Sequence, residues 1–188
     1  MPLTQKSLDP GPAIKSSRLI IATAGALLTL LVTPPASAAG GTTATITVQG
    51  GALSITVPTD AGSLGTLIDT VGGGTVSGSL GQVQVNDARG AAAGSGWVAS
   101  VISTAFTPPS GPTIAASALG YTAGTITKTG TATYTANNPA DLTGAVPVVT
   151  ATGITGDNSA TWTPTISVAV AGGTIANVYS ATITHSVV

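Results

Sequence analysis

The sequence predicts an all-β protein, a two-sheet antiparallel β-sandwich of about eight strands. Three observations lead there. Apolar and hydroxyl-bearing residues alternate with period two over most of the chain, while helical periodicity is nearly absent. The 188 residues include 25 Gly and 12 Pro, which suit many short turns between strands rich in Thr, Val and Ile. Finally, 43% of residues are hydrophobic and only 6% charged, with a net charge of −1, the opposite of a disordered composition.

The first element is a leader rather than part of the fold. Lys6, Lys15 and Arg18 precede the apolar run Leu19 to Val32, and Pro34-Pro35 and the small residues Ala36 and Ala38 follow it. A basic region, a short apolar region and small residues before the break make a secretory signal, residues 1–38. The run is shorter than the roughly 20 apolar residues of a comfortable membrane span, so no span is expected in the mature form. Residues 39–188 then make one domain of about 150 residues, enough for a proper core. The chain has no Cys, so stability must come from that core and from strand ladders.

Within the domain, Ala44, Ile46 and Val48 alternate with Thr, and Leu53, Ile55 and Val57 repeat the pattern beyond Gly50-Gly51, which predicts a hairpin. Further strands are expected near Gln82 to Asn86, Trp97 to Ser103, Thr125 to Thr135 and Val146 to Thr150. Pro108 to Gly120 reads as a longer surface excursion with a short helical turn in Ile114–Leu119. From Ala160 to Val170 the even-numbered residues share an apolar face, with Pro164 implying an edge or a bulge. From Tyr179 to Val187 the odd-numbered residues do the same, so His185, the only histidine, is expected to face the core as a neutral imidazole with a local hydrogen bond.

Enzymatic chemistry is not expected. There is no Glu and no Cys, a single His, and no Gly-x-Ser-x-Gly nucleophile elbow in the mature portion. No cofactor is implied. Asp157-Asn158 with Asp60 or Asp141 offers oxygens to calcium, but without EF-hand spacing. In residues 39–188, Asp60, Asp69, Asp87, Asp141 and Asp157 stand against Arg89 and Lys128 alone, a balance that argues against nucleic acid, whose binding rests on clustered Lys and Arg.

The candidate ligand contacts are Trp97, Trp162, Tyr179, Asp87, Arg89 and His185. In "VQVNDARGAAAGSGWVASV" a strand runs into a small-residue loop before Trp97 opens the next strand, as in a hairpin with a long tip. Asp87 and Arg89 either order that tip or bind a polar ligand there. Trp97 and Trp162 are either core anchors or, if exposed, stacking platforms for the apolar faces of sugar rings.

The order Val83-x-Val85-x-Asp87-x-Arg89-Gly90 to Gly96-Trp97, then Asn158-x-Ala160-Thr161-Trp162, then Tyr179-x-Ala181-Thr182-Ile183-Thr184-x-Ser186-Val187 resembles the WxL domain of Gram-positive surface proteins, particularly its divergent actinobacterial relatives. The resemblance spans Ala44 to Val188. It implies an exported all-β domain held noncovalently at the cell wall through peptidoglycan, often beside partner surface proteins. Trp97 matches a motif residue and Tyr179 matches in part. Trp97-Val98-Ala99 lacks the third-position Leu, and His185 stands where the family has its second Trp. No sorting segment follows Val188, so surface retention is expected to come from binding by the domain itself.

Two functions compete on this reading. The first is a secreted module binding cell-wall polysaccharide or peptidoglycan by Trp/Tyr stacking and Thr/Asn hydrogen bonds, with at least one of Trp97, Trp162 and Tyr179 exposed. The second is a structural or adhesive surface protein that self-associates or docks a partner protein through a strand edge.

Overall fold

A computed structural model describes residues 42–188, of which Thr45 onwards form one compact unit; the expected leader lies outside the described residues. Eight strands follow in order: β1 (Leu53–Thr56), β2 (Gly74–Ser79), β3 (Val83–Ser103), β4 (Leu119–Thr122), β5 (Thr127–Ala136), β6 (Val146–Trp162), β7 (Thr165–Val170) and β8 (Ile183–Val187). They make two antiparallel sheets. The five-stranded sheet runs β1-β3-β6-β5, with β8 also on β3, and the three-stranded sheet runs β2-β7-β4. The sandwich is the architecture that the alternation predicts. No helix among the described residues is long and apolar enough to cross a membrane.

The spine is the pair β3 and β6. Val83, Val85, Trp97, Ala99 and Val101 from β3 and Val149, Ala151, Ile154, Ala160 and Trp162 from β6 are buried. They meet Leu119 and Tyr121 of β4 and Ile166 and Val168 of β7 across the core. Trp97 and Trp162 are among the largest fully buried side chains, and truncating a buried Trp costs roughly 3–5 kcal/mol.

The chain changes sheets three times at one end of the sandwich. Leu80-Gly81-Gln82 joins β2 to β3, Ala123–Ile126 joins β4 to β5, and Thr163-Pro164 joins β6 to β7. The registers Ser79↔Thr165, Thr122↔Thr165, Val83↔Trp162 and Thr127↔Thr161 bring these corners together. At Thr163-Pro164 the expected single strand is divided. Even-numbered residues still point inward on both sides, because a strand that crosses to the facing sheet keeps its apolar side toward the same core. Pro164 serves the corner: its ring is buried and its carbonyl accepts the Leu80 N–H at 3.0 Å.

Two other expectations are corrected. The loop expected between Asp87 and Trp97 is strand. β3 continues through it against β6, with register shifts between Asp87 and Ala91, Ala91 and Ser95, and Ser95 and Trp97. Gly90 and Gly94 in β3, and Gly153 and Gly156 in β6, take positive φ there, a backbone state that only Gly adopts cheaply and that lets extra residues bulge out while pairing persists. The hairpin across Gly50-Gly51 is not formed. Gly50 packs against the Arg89 carbonyl where any side chain would collide, and Ala88 exchanges hydrogen bonds with Gly51 and Ala52. The chain therefore runs on beside β3 as β1, registered Leu53↔Asp87 to Thr56↔Gln84, instead of turning back on itself. The short helical turn expected in 114–119 is present as a 3-10 turn at Ala116–Ala118.

Candidate functional site

The structure sorts the six candidate residues into two buried polar networks and one outlier. The first network sits where β3 begins to bulge. Asp87 faces inward and is fully buried, a position that an ionised carboxylate tolerates only when fully bonded. Arg89 Nε donates to Oδ1 at 2.8 Å and Nη2 to Oδ2 at 3.0 Å, a two-point fork. The Arg89 backbone N–H adds a bond to Oδ1, and Asn158 Nδ2, from the registered partner strand, donates to Oδ2 at 3.1 Å. The guanidinium's hydrogen bonds, helped by the Arg89 N–H and Asn158, outweigh burial and hold the Asp87 carboxyl down at about 2.

Asn158 extends this network inward. Its Oδ1 accepts from Trp97 Nε1 at 3.0 Å and from Tyr134 Oη at 3.0 Å. The Trp97 and Tyr134 rings lie 5.7 Å apart in a tilted arrangement. Burial and then the Asp87 charge push the Tyr134 hydroxyl's pKa up, so it acts as a neutral donor. Asp157 points outward and caps the Gly90 N–H at 2.9 Å.

The second network joins the sheets. Trp162 Nε1 donates to Tyr121 Oη at 2.8 Å, and that oxygen stands 3.2 Å from His185 Nε2. Tyr121 Oη accepts the indole proton and, against the Nδ1–H tautomer of a neutral His185, is free to donate its own to Nε2. Burial pushes the Tyr121 pKa up to about 12 and the His185 pKa down to about 4. The imidazole is therefore neutral at pH 7, half-buried, and a structural acceptor.

These geometries answer the question of ligand contact for most of the candidates. Trp97 and Trp162 are core anchors whose indole faces are covered, so neither is a stacking platform; their rings are the wedge of the sandwich and their N–H groups are spent internally. Asp87 is buried, and Arg89, whose side chain is 37% exposed, is committed to it and to the Gly96 carbonyl. Tyr179 stands apart, half-buried, its hydroxyl donating to the Ile175 carbonyl at 2.8 Å. Asp60 and Asp141 each cap a local turn, at Gly62 and Thr143, and no three acidic or His side chains converge among the described residues. Asn158, Tyr134 and Tyr121 complete these networks from outside the six candidates: from the sequence Asn158 reads only as an oxygen for calcium and a motif residue, and the two tyrosines only as core anchors or stacking platforms.

What remains accessible is an outer face. On β5 and β6 the registered outward pairs are Thr127↔Thr161, Thr129↔Ser159, Thr131↔Thr155, Thr133↔Thr152 and Thr135↔Thr150. Every member bears a hydroxyl. At one end the rows continue across the sheet, as Thr56, Gln84, Thr161 and Thr127 and as Ser54, Asn86, Ser159 and Thr129. Neighbouring strands put hydroxyls about 4.8 Å apart and alternate residues of a regular strand put them about 6.7 Å apart, a repeat that register shifts between Thr129 and Thr131 and between Thr131 and Thr133 interrupt here. The depressions around Thr104, Thr107, Ser180 and Thr182, about 300 Å³, and around Asn137, Asn138, Pro139 and Pro147, about 510 Å³, are shallow and open.

Comparison with family models, with curated proteins and with solved structures returned no match to this chain.

Proposed function

We propose that the protein is an exported surface domain that binds bacterial cell-wall polysaccharide, peptidoglycan or an attached glycan, noncovalently through the hydroxyl face of its five-stranded sheet. The observation that carries this reading is the ladder of paired Thr and Ser across β5 and β6. A glycan strand is a repeating array of hydroxyls and amides, and a sheet face bearing many hydroxyls meets it with many weak hydrogen bonds and little ordering cost. With both indoles in the core, binding runs through hydrogen bonding rather than stacking, which keeps the Thr/Asn half of the expected mechanism and gives up the Trp half.

Two further features support an extracellular wall setting. The leader pattern of residues 1–38 is that of export. Of the residues that carry the WxL resemblance, Val83, Val85, Asp87, Arg89, Trp97, Asn158, Ala160 and Trp162 lie on the β3–β6 spine and its networks, while those from Tyr179 to Val187 lie on β8 and the segment before it. The test is co-sedimentation with purified Gram-positive walls. The intact chain is expected to pellet with walls, and a variant carrying Thr131→Val, Thr133→Val, Thr152→Val and Thr155→Val is expected to stay in solution with an unchanged melting temperature. Failure of the intact chain to pellet, or equal pelleting by the variant, overturns the reading.

A further inference from the structure

One stretch has the sequence of a strand and no strand to pair with. Residues 45–49, Thr-Ile-Thr-Val-Gln, alternate apolar with polar and are rich in β-branched side chains, which favour a pleated surface. Yet Ile46 is 90% and Val48 87% exposed, and no described residue pairs with the segment. Two large β-branched side chains two residues apart thus lie in water, apolar area open to a partner.

The same fold carries an open edge. β5 pairs with β6 on one side, and no described strand pairs with its other side. It is ten residues long and bears a row of free backbone groups, the template for strand addition. Its two faces differ: Thr129, Thr131, Thr133 and Thr135 face outward, while Ala132 and Tyr134 lie half-buried on the inner side. The segment 45–49 has the matching alternation. Laid along β5, its Thr45 and Thr47 lengthen the hydroxyl ladder, and its Ile46 and Val48 fall against the open flank of Ala132 and Tyr134.

The segment cannot reach this edge within its own molecule. It is tethered where Gly51 bonds Ala88, on the side of β3 away from β6. Crossing β3, β6 and β5 covers roughly 15–20 Å at about 4.8 Å per strand, and five extended residues span at most about 17 Å, leaving none to lie along β5. The geometry points to a second copy of the chain: residues 45–49 of one molecule add as a sixth strand to the β5 edge of the next. This pairing joins two different surfaces, so it is head-to-tail and propagates along a filament or closes as a ring. It does not depend on glycan binding.

The test uses the absence of Cys from the chain. The full chain bearing Thr47→Cys is mixed, under oxidising conditions, with chains bearing Thr131→Cys, Thr133→Cys or Thr135→Cys. At least one mixture is expected to give a disulfide-linked dimer severalfold above the mixture with Thr75→Cys on β2, because only paired neighbours bring Cβ atoms within bonding range. No excess over that control, or cross-linking of Thr47→Cys chiefly to itself, overturns the proposal. As a second measurement, Ile46→Asp with Val48→Asp, both outside the core, is expected to shift the sedimentation profile toward monomer; an unchanged profile overturns it as well.

Discussion

The hydroxyl of Tyr121, in the three-stranded sheet, stands 3.2 Å from Nε2 of His185, in the five-stranded sheet. The imidazole is half-buried there, and burial disfavours its charged form. The folded-state pKa near 4 lies below the ordinary value of 6.5, so the unfolded chain takes up the proton first. The resulting stability is complete above pH 6.5 and is lost as pH falls toward 4, on the order of 3 kcal/mol at most. Urea unfolding at steps between pH 7.5 and 4 is expected to show this decline, and His185→Gln is expected to flatten it.

Asp87 adds a second, more acid window. Its carboxyl, held at about 2 against an ordinary 3.8, contributes stability that is present above about pH 4 and lost as pH falls toward 2. Arg89→Met leaves a buried carboxylate with only Asn158 and backbone for support. At pH 7 it is expected to cost about 2 kcal/mol, a buried-pair loss reduced by solvent at the partly exposed Arg89. Arg89→Lys is expected to recover little of it, because one ammonium cannot reproduce the fork. Denaturation of both variants at pH 7 checks the difference.

Asn158→Leu is expected to destabilise by about 3 kcal/mol, because it strands the Trp97 N–H, leaves the Tyr134 O–H only the longer bond to the Ser159 carbonyl, and takes from Asp87 Oδ2 one of its two donors. Trp97→Phe in the Asn158→Leu background is expected to cost less than in the native chain. A double-mutant cycle by chemical denaturation measures that coupling.

On the hydroxyl face the expectation is reversed. Thr131→Val and Thr133→Val sit on exposed β-strand positions where a β-branched replacement keeps propensity, so stability is expected to change by no more than about 0.5 kcal/mol. Loss of wall binding without loss of melting temperature then isolates the hydroxyls as the contact.

Parity made much of this fold legible. Because strand side chains alternate strictly, the inward placement of Trp162, Ile166, Val168 and His185 follows from their spacing alone. β2 and β4 were not legible: Gly74–Ser79 is mostly Gly, Ser and Thr, and Leu119–Thr122 is a bare four residues after a helical turn, so neither shows an apolar row. The stretch from Asp87 to Trp97 read as a loop because the small residues that suit a turn also suit consecutive bulges. The networks were half visible. Asn158 shares its parity with Ala160 and Trp162, and a polar residue in an inward row was the available signal; that its partners are Asp87 and Trp97, 71 and 61 positions away, is set by register, which no local pattern states.

Both β1 and β8 lie against β3, β1 beside Gln84–Asp87 and β8 beside Ala99–Ser103. A chain made from its N-terminus has β3 complete some 80 residues before the strand that flanks its second half exists. Until β8 arrives, Ala99 to Ser103 is an open edge and Tyr121 lacks its imidazole, so closing the sandwich is a late, long-range event. Completion of the five-stranded sheet thus waits, by connectivity alone, on the last strand of the chain.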